Sequence, residues 1–198
     1  MKTLRQIIIK TFCFFFLISV SILSFSQDST FNINFPVGWI QFQRNDILNS
    51  VKNKLGFSDK VREEILANAT SSQLYGYAAP NKPGSLYRPN IQVLLIKNQT
   101  QNFSQFKFMI EKSLEGFKDK ISELKILDSV SEVMIDGKKS LYAKISGYLP
   151  TKTGDKAQLL SRIYAIPSDN YFYQITMNDS GDYSCEAEFK KVLETLMF

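Results

Sequence analysis

Apolar and polar positions alternate in Phe31-Asn32-Ile33-Asn34-Phe35 and again in Trp39-Ile40-Gln41-Phe42, and Pro36-Val37-Gly38 between them has turn chemistry. A period of two on both sides of a turn predicts a β-hairpin. From Asn45 the period lengthens: Ile47, Leu48, Val51 and Leu55 recur at helical spacing after Asp46 and stop at Gly56. Ser58 then caps a stretch through Val61, Ile65 and Ala69, so two short helices are expected. Residues 74–79 and 91–97 read as strands separated by Pro80-Asn81-Lys82-Pro83-Gly84 and Arg88-Pro89-Asn90, both turn-forming.

The longest helix follows. Ser104 is a candidate cap, and Phe106, Ile110, Leu114, Phe117 and Ile121 step by three or four to give one apolar stripe backed by Lys107, Glu111, Lys112 and Lys118. Four strands are then expected, at 125–135, 140–149, 157–166 and 171–177, joined by Asp136-Gly137, Thr153-Gly154-Asp155 and Pro167-Ser168-Asp169-Asn170. A last helix starting near Asp182 or Ser184 carries Cys185, Phe189, Val192 or Leu193, and Leu196 on one face.

These elements make an antiparallel β-sheet meander packed by helices, an α+β sandwich in a single domain. Their order, with the Phe-Pro-Val-Gly-Trp turn ending at Trp39, the Ile135-Asp136-Gly137-Lys138 turn and a closing helix that ends in Glu194-Thr195-Leu196-Met197-Phe198, resembles the PsbP/Mog1/DcrB-like group over residues 31–198. The resemblance implies a PsbP-like fold and a theme of non-catalytic binding. Pro36, Gly38 and Trp39 carry over as structural matches only, and the histidines tied to metals in the photosystem members have no counterparts in a chain without histidine.

The N-terminus changes the picture of where the chain acts. Lys2, Arg5 and Lys10 precede an uncharged Phe/Ile/Leu-rich stretch and the small residues Ser24-Phe25-Ser26, the layout of a signal peptide cleaved after Ser26. Residues 1–26 are therefore expected to be removed, leaving 198 − 26 = 172 residues exported to a periplasm or the extracellular space. The stretch is short and spotted with serine for a membrane anchor, and Cys13 lacks the small preceding residue of a lipid-modified cysteine. Removal takes three cations and no acid, so the net charge falls from +5 to 21 − 19 = +2, too little to argue for nucleic acid.

Absence of histidine excludes Ser-His-Asp and Cys-His catalysis and histidine metal centres. Cys185 is the single thiol of the mature chain, so no intramolecular disulfide forms, and its place on an apolar stripe near Asp182, Glu186 and Glu188 reads as a buried structural thiol. Asp179, Asp182 and Glu186 have the residue types of a calcium loop but the wrong spacing, and capping accounts for them; no cofactor or metal is expected.

One surface stands out. Period two places Tyr142, Lys144, Ser146 and Tyr148 opposite Leu141, Ala143 and Ile145, while Arg162 and Tyr164 share a face of the next strand. Tyr142, Lys144, Tyr148, Arg162 and Tyr164 are the candidate contact face for a protein or glycan partner. A non-catalytic binding or accessory role, through this face or through the Pro80 to Asn90 loop, follows as the first expectation. The alternative is a carrier of a small apolar ligand held between the long helix and the sheet, and a histidine-independent enzyme ranks last.

Overall fold

A computed structural model describes residues 31–42, 72–83, 85, 87–119, 121–151 and 153–198. The expected export segment and the two short helices expected between Asp46 and Ala69 lie outside the described residues. Seven strands form one antiparallel sheet: β1 (Ile40–Gln41), β2 (Ser72–Ala78), β3 (Asn90–Lys97), β4 (Ser122–Ile135), β5 (Lys138–Pro150), β6 (Lys156–Ser168) and β7 (Tyr171–Asp179), in the order β1-β2-β3-β7-β6-β5-β4. Helix α1 (Phe103–Glu115), extended by a 3₁₀ turn (Gly116–Asp119), connects β3 to the far edge strand β4, and α2 (Glu186–Glu194) follows β7. The architecture is α+β.

Each helix covers one face. Phe106, Ile110, Leu114, Phe117 and Ile121, the whole stripe read from the sequence, pack with Leu141, Ala143 and Ile145 of β5, Leu159, Ile163 and Ala165 of β6, and Phe172 of β7. On the other face Cys185, Phe189, Val192 and Leu196 pack with Ile91 and Val93 of β3, Ile166 of β6, and Tyr173, Ile175 and Met177 of β7. Alternate residues of the same strands thus feed two separate cores.

Local signals set several joints. Asp136 and Gly137 both have positive φ, 45° and 72°, as the two-residue hairpin turn between β4 and β5 requires. The α1 cap lies two residues earlier than expected: Asn102 is extended and its side chain accepts the Gln105 N–H at 3.0 Å, so Ser104 falls inside the helix. Asparagine is as strong a cap as serine, and position 102 alone has the non-helical backbone.

The N-terminal hairpin does not form. Residues 31–35 do alternate, with Phe31 and Ile33 buried and Asn32 and Asn34 exposed, but the segment runs beside the C-terminus rather than beside β1. Asn32 exchanges both backbone hydrogen bonds with Met197, at 3.0 and 3.1 Å, and the Asn34 N–H donates to the Thr195 hydroxyl. Aromatic packing explains the choice: Phe31 stacks on Tyr173 at 4.3 Å and touches Phe198 at 5.2 Å, while Phe35 stacks on Tyr77 at 3.9 Å. β1 pairs instead with β2, Ile40 opposite Ala78.

Candidate interaction face

Tyr142 and Lys144 are direct cross-strand partners of Tyr164 and Arg162 in the β5–β6 ladder. All four lie on the α2 side of the sheet, opposite the residues beneath α1. α2 sits over β3, β7 and part of β6 and leaves the β5 portion of this side less covered, so Tyr142, Lys144 and Tyr164 are half-buried. The Tyr142 and Tyr164 rings are 5.0 Å apart at a tilt of 38°. Asp128 of β4, opposite Lys144, accepts a long hydrogen bond of 3.5 Å from the Tyr142 hydroxyl.

Arg162 belongs to the interior of this face. Its side chain is 7% exposed; one guanidinium nitrogen donates to Asp179 Oδ2 at 2.7 Å and another to Glu186 Oε2 at 2.9 Å. The guanidinium also lies 5.6 Å from the centre of the Phe189 ring. Burial works against its charge, yet the Asp179 hydrogen bond and the charges of Asp179 and Glu186 outweigh that and hold its pKa above the ordinary value. The other Asp179 oxygen, Oδ1, accepts the Cys185 N–H at 2.7 Å, capping α2 from outside the helix. One carboxylate, 1% exposed, therefore ties β7, β6 and the start of α2 together.

Tyr148 stands apart. It is six residues along β5 from Tyr142, roughly 20 Å at the usual strand rise. Its neighbour there is Lys156, 5.7 Å from the ring centre and paired with Glu123 at 2.6 Å. The structure thus gathers Tyr142, Lys144, Arg162 and Tyr164 and leaves Tyr148 at the other end of the strand.

Burial shapes the titration of these groups. It pushes the Tyr164 phenol up to about 12, helped by the neighbouring Tyr142, and raises that of Tyr142, where Asp128 adds its negative charge. Cys185 is buried, and burial with the charges of Glu188 and Asp179 pushes its thiol up to about 11. A thiol held protonated so far above neutrality is a poor nucleophile.

The acids considered for calcium diverge. Asp179 turns inward to Arg162, whereas Asp182 accepts from the Ser85 hydroxyl at 3.3 Å and its carbonyl accepts from Lys82 at 2.6 Å. Among the described residues no three histidine, cysteine or acidic side chains gather to hold a metal ion. Between α1 and the sheet, where a carrier would hold its ligand, Phe106 meets Phe172 edge-on at 5.2 Å and both are fully buried.

A polar ladder was not anticipated. On the α1 side, Ser161 donates to Asn178 Oδ1, Asn178 Nδ2 donates to Asn90 Oδ1 at 2.9 Å, and Asn90 Nδ2 donates to the Tyr87 hydroxyl at 2.8 Å. Burial pushes the Tyr87 phenol up to about 12 against the opposing effect of the Asn90 bond. Ser161, between Leu159 and Ile163, breaks the apolar alternation of β6, which is the signal of this row in the sequence. The partners, 88 residues apart for Asn178 and Asn90, were not visible in it.

No family model matches the chain, and no curated protein matches it. Among solved structures, it is similar to a cyanobacterial PsbP from Synechocystis sp. PCC 6803, with 8% identity, a TM-score of 0.48, and 89% of this chain and 97% of that one covered. It is also similar to LpqN of Mycobacterium tuberculosis, a protein involved in cell envelope biogenesis, at 14% identity and a TM-score of 0.42 over 88% and 83% of the two chains. A Pseudomonas aeruginosa protein gives 14% identity and a TM-score of 0.49 over 61% and 79%. A PsbP thus stands among the structures to which this chain is similar. Among the described residues no helix is long and apolar enough to cross a membrane.

Proposed function

We propose that the chain is exported and works, in a periplasm or outside the cell, as a non-catalytic binding or accessory protein. Its contact face is the β5–β6 surface around Tyr142, Lys144 and Tyr164, and its partner is a protein or a glycan. The observation that supports this reading is the Tyr142–Tyr164 pair, rings 5.0 Å apart on the less covered side of the sheet, with Lys144 and Asp128 beside it. Tyrosines held in place by a sheet present large amphipathic area at little entropic cost, and neighbouring charges of both signs add hydrogen bonds without a net field. Arg162 acts as a positioning residue: with Asp179 and Glu186 it fixes the start of α2 and so the border of the face.

The test is amine-directed crosslinking of the protein in its native cells, with residues mapped by mass spectrometry and Tyr142→Ala run beside the wild type. Reproducible joining of one partner through Lys144, lost in Tyr142→Ala, is the expected outcome. Crosslinks that avoid β5 and survive the substitution would overturn the assignment of the face. Capture of no partner by a demonstrably reactive protein would overturn the assignment of a protein partner.

A further inference from the structure

We propose that two copies of the chain pair through β4, edge to edge about a twofold axis, centred between Ile126 and Leu127. This inference is independent of the proposed function. Among the described residues β4 is the terminal strand of the sheet, with β5 on one side and no strand on the other. It is 14 residues long and mostly exposed, and at its middle two adjacent apolar side chains face solvent, Ile126 at 43% and Leu127 at 49% exposure.

The charges on this strand divide into two kinds. Glu123 is paired with Lys156 at 2.6 Å and Glu132 with Lys139 at 2.9 Å, both within the subunit. Lys125 and Asp128, the residues that flank the apolar pair, form no ion pair among the described residues.

Register makes these two charges self-complementary. Ile126 is opposite Ile145 and Asp128 is opposite Lys144, so Leu127 is an inserted bulge residue. The bulge resets the alternation: Lys125, opposite Ser146, and Asp128, opposite Lys144, lie on the same face of the sheet. A twofold axis perpendicular to the sheet and passing between Ile126 and Leu127 sets Lys125 of each copy against Asp128 of the other. It also sets Ile126 against Leu127, with matching faces. Two unpaired charges and two exposed apolar residues are satisfied by one operation, and the free edge of β4 gains main-chain partners.

Further register shifts, between Ser122 and Lys125 and between Asp128 and Ser131, confine the ladder to this short stretch and keep the rest of the edge from open-ended pairing. A perpendicular twofold keeps both Tyr142 faces on the same side of the joined sheet.

The test is sedimentation-equilibrium measurement of residues 27–198 and of charge variants, with circular dichroism as the check on folding. The wild type is expected to dimerise, and Lys125→Asp and Asp128→Lys, which set like charges across the axis twice, are each expected to weaken the dimer roughly tenfold or more. The double variant restores self-complementarity and should recover the wild-type constant. Equimolar mixing of the two single variants should give a heterodimer. A monomeric wild type at every concentration reached, or a dimer indifferent to both single substitutions, would overturn the proposal.

Discussion

The two faces of β5 and β6 are built from alternate residues of the same strands, yet they are secured by different physics. Under α1, Leu141, Ala143, Ile145, Leu159 and Ile163 meet the apolar stripe from Phe106 to Ile121, and volume does most of the work, with the buried Ser161–Asn178–Asn90 ladder beside it. On the α2 side, Lys144, Arg162 and Tyr164 replace the aliphatic set, and the start of α2 is attached by the Arg162–Asp179–Glu186 ion pairs and the Asp179 bond to the Cys185 N–H. A face held by volume is filled throughout its area. A face held partly by fixed charges is secured at points, and the surface beyond the last point is left half-buried.

The contrast can be broken by substitution. Phe106→Ala, in the fully buried contact with Phe172, is expected to cost about 3–5 kcal/mol in urea unfolding, since little can move to fill the space. Asp179→Ala is expected to cost about 3 kcal/mol, because it leaves a buried guanidinium with only the exposed Glu186 and an α2 N–H without its acceptor. The sharper comparison adds Arg162→Met to Asp179→Ala. Removing both charges should recover part of that loss, whereas no second truncation under α1 should rescue Phe106→Ala. Equal losses in the single and double variants would show that the α2 side too is held mainly by volume.

Titration gives a smaller and gentler contrast. Tyr164 should ionise only near pH 12 in an absorbance titration, and Tyr142→Phe should lower that value by removing the second cause of its elevation. For Cys185 the sign is set by a folded pKa near 11 against an ordinary value of 9.0, so the protonated thiol is the form favoured by folding. Its contribution to stability is complete below pH 9 and fades as the pH rises toward 11. Alkylation of Cys185 should accordingly be slow in the native protein at pH 8 and fast once urea unfolds it. Rapid labelling without unfolding would mean that the α2 side opens on its own.

Much of the fold was legible because it is written in short-range patterns. The apolar stripe from Phe106 to Ile121, the Asp136-Gly137 turn and the alternation of β5 each depend on residues within a turn or two; the turn and the alternation appear as read, and the stripe is buried as read although α1 ends at Glu115 and a 3₁₀ turn carries Phe117. The site was legible in part: the pairing of Tyr142 with Tyr164 follows from the β5–β6 hairpin, while the fate of Arg162 does not. Nothing within several residues of position 162 indicates that its partners are Asp179 and Glu186, or that an exposed-looking cation is 7% exposed. The N-terminal alternation shows the same gap, since period two says that Phe31 and Ile33 turn inward but not against which segment.

The sequence by itself determined which residues turn toward a core, where the strands of the meander turn back, and that chemistry dependent on histidine is closed to this protein. Those properties rest on side-chain type and local periodicity, which are complete in a window of a few residues. Only the tertiary structure decided that β3 lies beside β7, that the N-terminal segment lies against Met197 rather than β1, that Asp179 secures α2 through Arg162, and that among the described residues Lys125 and Asp128 form no ion pair on the terminal strand. Each of these joins segments far apart in the chain, and the choice among possible partners is made by competition between packing and charge satisfaction across the whole sheet.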